Sequence, residues 1–247
     1  MNAVRLSSVA VLCVAVLAGC GARDPYAKYK LGAARDAVAA AIDATGGLKA
    51  WENVGTIRAD ALVTLYDASG SPRTNRMKLV VDVRGGRIEA VAAEAAGWWS
   101  AVVTRRGEIA LTQHEGQLSA PAKQQVGWAL SMILHRLTGP ANLLYGVEKP
   151  GAVSPAVVAG ERVTRVQVIG YAPDAVADYF LIDGGTLRYV TAGDDRPGRG
   201  GTITRLTCRP SGGLALPEKI EIFKIGQHVL LGDESLLEAT LSAVTVE

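Results

Sequence analysis

Apolar and polar residues alternate in segment after segment between Ile57 and Val246, and a period of two puts every second side chain on one face of a strand. Ile57, Ala59, Ala61, Val63 and Leu65 alternate with Arg58, Asp60 and Thr64. The turn-rich run Asp67 to Pro72 follows, and Met77, Leu79, Val81 and Val83 then alternate with Arg76, Lys78, Asp82 and Arg84, which predicts a hairpin. Gly85-Gly86 leads into Ile88, Ala90 and Ala92, and Trp98 to Thr104 and Glu108 to Gln113 form a further pair around Arg105-Arg106-Gly107. The residues from Gly146 to Gly160, with Pro150 and Pro155, are expected to be a long connection. Strand signals return at Val163 to Gly170, Asp178 to Asp183, Thr186 to Ala192, Thr202 to Cys208, Leu216 to Lys224 and Leu236 to Val246. The fold class is therefore α+β: about eleven antiparallel strands in two meanders, with one apolar face that other elements must cover.

Two segments break the period. Leu31, Ala34, Val38, Ala41 and Ile42 follow helical spacing, and Gly46-Gly47 supplies a left-handed stop. From Pro121 to Thr138, Val126, Leu130, Ile133 and Leu137 share one helical face, and Trp128 and Met132 widen it to a second edge before Gly139-Pro140. A helix with two apolar edges is either deeply buried or faces a cavity as well as the sheet.

The N-terminus carries an address. A basic start at Arg5, an apolar run from Val9 to Leu17 and small residues at Ala18 and Gly19 make a secretory signal. The run is too short to favour a helix that stays in the bilayer, which takes roughly 20 residues. Leu17-Ala18-Gly19-Cys20 resembles the lipobox of bacterial lipoproteins. That resemblance implies cleavage before Cys20, a diacylglyceryl group on its thiol, and sorting to the outer membrane because Gly21 rather than Asp follows. The alternative is an ordinary cleaved signal with a chance cysteine. The expected organisation is a signal at 1–19, a lipidated tether at 20–30 that would reach roughly 35 Å if extended, and a domain at 31–247.

Charge and cysteines narrow the function. Losing residues 1–19 removes Arg5 and no acid, so 26 basic and 24 acidic residues become 25 and 24. A nearly neutral domain without a Lys/Arg cluster argues against nucleic acid and against electrostatic attachment to anionic lipid as expected partners. Cys13 leaves with the signal and Cys20 is acylated, so Cys208 stands alone and is expected to be a small buried apolar residue. His114, His135 and His228 lie in separate contexts without metal-ligand spacing, and no nucleophile elbow or phosphate loop is present, so neither catalysis nor a metal or cofactor is expected. Gly198, Gly200 and Gly201 beside Arg196 and Arg199 fit a solvated hairpin loop better than an anion site.

The order of elements completes the picture: Ala41 to Gly47 leads into Trp51 and the first strand, a long meander, an apolar helix and a second meander, with Leu216-Pro217-Glu218-Lys219-Ile220 opening a late strand. This order resembles the LolA/LolB-like superfamily of bacterial lipoprotein carriers and receptors. The resemblance implies a strongly curved antiparallel sheet, a half-open β-barrel, with helices over its open side and an apolar cavity that takes a lipid or a lipoprotein acyl chain such as palmitate. Trp98, Trp99, Trp128, Leu130 and Met132 are the residues expected on its wall, and the protein is expected to be a monomer held to the membrane by its anchor. No position matches the family's functional arginine or its projecting receptor loop. A solid core, with protein partners on the outer surface, is the alternative.

Overall fold

The computed structural model describes residues 24–94, 97–115, 118–170, 176–193, 201–226 and 231–247. The lipobox with Cys20, the loop residues Arg196, Gly198, Arg199 and Gly200, and His228 lie outside them.

Among the described residues twelve strands form one antiparallel sheet: β1 (Thr56–Tyr66), β2 (Pro72–Asp82), β3 (Arg87–Glu94), β4 (Gly97–Thr104), β5 (Ile109–Gln113), β6 (Lys149–Val158), β7 (Glu161–Ile169), β8 (Val176–Leu181), β9 (Leu187–Ala192), β10 (Thr202–Ser211), β11 (Leu214–Ile225) and β12 (Leu231–Val246). Their order is β5-β4-β3-β2-β1-β12-β11-β10-β9-β8-β7-β6, so the two meanders join where the first strand meets the last. Ile57 stands opposite Val246 and Leu65 opposite Leu237. The sheet is curved and unclosed, with β5 and β6 as its edges.

Among the described residues three α-helices accompany the sheet: α1 (Arg35–Ala44), α2 (Leu48–Asn53) and α3 (Ala120–Leu144). Because the chain must pass from one sheet edge, β5, to the other, β6, α3 is the element that spans the open side. It packs on α1, β3, β4 and β11. Alternation places Ile57, Val63, Leu79, Val81, Ile88, Val103, Ile220, Ile222 and Leu237 on the concave face, each under 2 % exposed, against Leu130, Ile133 and Leu137 of α3. The α1 helix stops where expected: Gly46 has φ +120°, and a Cβ there would lie 2.3 Å from the Gly213 carbonyl oxygen, which no other residue could tolerate.

Three expectations are corrected. The stretch from Gly146 to Gly160 contains β6, so there are twelve strands; Pro150 and Pro155 are tolerated because β6 is an edge whose outer side needs no ladder donors. The helix expected to end at Gly139-Pro140 continues to Leu144, since residues 133–144 are buried throughout and packing outweighs the hydrogen bond that Pro140 cannot donate. The polar tether expected through Lys30 is packed much earlier. Tyr26 is 5 % exposed and donates its hydroxyl to Asp43 at 2.6 Å, and Asp24 pairs with Arg35. No helix among the described residues is long and apolar enough to cross a membrane.

Candidate functional site

The start of α3 and the β1–β2 hairpin face each other across a cavity of about 620 Å³. Leu65, Pro72, Ala122 and Trp128 give it apolar walls, and Asp67, Ser71, Arg73, Ser119, Gln124 and Gln125 form a polar rim. Its size falls in the range of small-molecule sites, roughly 300–1,000 Å³. Local sequence stiffens both banks. Asp67 accepts from the Ser69 and Ser71 amides at 2.8 and 2.9 Å and from the Ser69 hydroxyl at 2.6 Å. These bonds, the Ser69 hydroxyl foremost, hold its carboxyl below the usual carboxylate range. Across the gap Ser119 caps α3, its hydroxyl accepting from the Ala122 amide at 3.3 Å, with Pro121 in the first turn.

Below this mouth α3 packs tightly on the sheet. Val126, Ala129, Leu130, Ile133 and Trp99 are each at most 2 % exposed, and the deep void beside Val38, Pro140, Leu143 and Tyr179 measures only about 10 Å³. At Gly127 a Cβ would fall 2.1 Å from Cδ1 of Ile109, so the glycine lets α3 settle onto the β5 edge.

The five residues expected on a cavity wall separate. Trp128 is partly buried in the mouth, and Met132, one turn along α3, is partly buried against the core. Trp99 and Leu130 are core residues. Trp98 belongs elsewhere, because adjacent strand residues point to opposite faces and only one of Trp98 and Trp99 can face inward. It is 40 % exposed, stacks on His114 with ring centroids 3.7 Å apart, and walls an outer groove, also of about 620 Å³, with Leu62, Lys78 and Val91.

No protein-family model and no curated protein matches the sequence. Solved structures do match. A LolA-superfamily protein from Nitrosomonas europaea is 10 % identical, with a TM-score of 0.55 over 87 % of this chain and 93 % of that one. A DUF1329-family protein from Desulfovibrio piger is 7 % identical, with a TM-score of 0.50 over 86 % and 92 %. The chain has the LolA-like fold.

Within this LolA-like fold α3 is secured by a buried polar cluster that the sequence did not reveal. Glu148, 0 % exposed, accepts from the Tyr179 hydroxyl at 2.7 Å and the Asn142 side chain at 3.2 Å, and its Oε1 lies 3.1 Å from His135 Nδ1. Beside it, Nε and Nη2 of Arg136 donate to the Thr204 hydroxyl at 2.9 and 2.7 Å. Burial lowers the Arg136 guanidinium to about 10 against the pull of Tyr179 and Glu148, and burial with Glu148 pushes Tyr179 well up. A Cβ at Gly139 would stand 3.2 Å from the Tyr179 hydroxyl, so that glycine admits the phenol to the helix. The cluster fastens the far end of α3 to β8 and β10, while its first turns line the mouth. Among the described residues no three His, Cys, Asp or Glu side chains are grouped to hold a metal.

Cys208 sits at a register shift opposite Pro217, half-buried, and desolvation pushes its thiol up to about 11 despite Arg188 nearby. It should therefore resist iodoacetamide in the folded protein at about pH 8 and react once urea unfolds the chain. Mass spectrometry after each treatment checks this.

Proposed function

We propose that this protein is an anchored envelope lipoprotein that binds a lipid or acyl chain between the half-barrel and the first turns of α3, in lipid or lipoprotein transport at the outer membrane. The observation that carries the reading is the mouth itself: a cavity of about 620 Å³ with Leu65, Ala122 and Trp128 on its walls, placed where α3 meets the open side of a LolA-like sheet. The bound chain would enter by lifting the start of α3, for the deep void of about 10 Å³ cannot hold one. Collapse of α3 onto the sheet is what burial favours when the site is empty, since each large apolar side chain contributes roughly 1.5–3 kcal/mol. Binding needs no catalytic group, metal or cofactor. An apolar fluorescent probe should brighten on adding the protein and dim when a fatty acid displaces it; no brightening would contradict the reading.

The tight packing below the mouth also supports a second reading, a packed envelope lipoprotein that holds protein partners on its outside. The probe separates the two, because a packed protein would leave its emission unchanged.

The anchor is tested separately. Cys20→Ala should move the protein from the membrane fraction to the soluble periplasmic one, since two or more acyl chains hold a protein essentially permanently. Continued fractionation with membranes would remove the anchor from the account.

A further inference from the structure

The structure places the packed start of the chain at one end of the half-barrel and the mouth at the other. Asp24 pairs with Arg35 at the start of α1, and Lys28 and Tyr29 both reach Glu52 of α2. These helices cap the sheet through its turns at a single end. Ala40 of α1 abuts Gly185 in the β8–β9 turn, Gly46 abuts Gly213 in the β10–β11 turn, and the Glu52 carbonyl accepts from Arg84 beside the β2–β3 turn. The mouth is formed by the β1–β2 hairpin, at the opposite end of β1. Eleven strand residues from Thr56 to Tyr66 separate the two by about 35 Å along the strand.

We infer that the capped end is the surface that rests on the anchoring bilayer and that the mouth opens away from it. The inference rests on acylation of Cys20. Whatever path it takes, the covalent chain from Cys20 to Asp24 spans at most about 14 Å, so the capped end stays beside the headgroups. With that end seated, the leash cannot bring a rim about 35 Å farther along the barrel to the same bilayer. An apolar ligand therefore enters and leaves on the aqueous side.

The test uses the lipidated full-length protein with Cys208→Ser, an environment-sensitive fluorophore on either Lys49→Cys or Ser69→Cys, and vesicles of phosphatidylethanolamine and phosphatidylglycerol holding a spin-labelled headgroup lipid. The protein should float with the vesicles; the Lys49 label should lose most of its emission and the Ser69 label almost none. Flotation with Ser69 quenched as strongly as Lys49, or more, would overturn the orientation alone. Failure to float would remove the anchor, and the orientation with it.

Discussion

Glu148→Ala is expected to destabilise the domain by about 3–5 kcal/mol, the cost of breaking a buried polar cluster by deleting one partner. That is a large part of the roughly 5–15 kcal/mol by which domains are stable. The loss would leave the Tyr179 hydroxyl, the Asn142 amide and His135 Nδ1 without the carboxyl group they share, and would remove the pull of Glu148 on the buried Arg136. Tyr179→Phe removes one donor and keeps the ring against Gly139, so its cost should be the smaller. Urea unfolding of the three proteins measures both differences. A Glu148→Ala cost under about 1 kcal/mol would show that the cluster does not hold the far end of α3.

Opposite outcomes are expected two residues apart on α3. Leu130 is 0 % exposed in the core, and Leu130→Asp would bury a carboxyl group among Ile133, Val126 and Trp99, at a cost above about 4 kcal/mol that should unfold much of the protein. Trp128 is partly exposed at the mouth, where Asp can stay hydrated. Trp128→Asp should therefore fold, losing about 1–2 kcal/mol for the half-buried indole, yet abolish probe binding. Circular dichroism and probe titration on both proteins check the contrast. If Trp128→Asp unfolded as completely as Leu130→Asp, its ring would be part of the core rather than the wall of a site.

Local rules made the sheet readable and non-local ones hid the site. Ile57 to Leu65 and Met77 to Val83 could be read because each strand has one buried and one solvated face. The β6 strand could not: as an edge it exposes Val153 and Val157 and carries two prolines, and both traits mimic a loop. The end of α3 was hidden because only tertiary burial carries a helix past Gly139-Pro140. The polar cluster was hidden because Tyr179 follows Glu148 by 31 residues and Thr204 follows Arg136 by 68, and each meets its partner through the sheet. Trp128 and Met132, by contrast, were visible as an apolar edge beyond the main stripe, and that edge lies at the mouth and its margin.

Native mass spectrometry of the full-length protein, released gently from its own membrane, tests lipid binding most directly. The account predicts a lipid mass beyond the covalent anchor on the wild-type protein and its loss from folded Trp128→Asp. A wild-type protein carrying its anchor and no further lipid, or a Trp128→Asp protein that keeps the lipid, would contradict it.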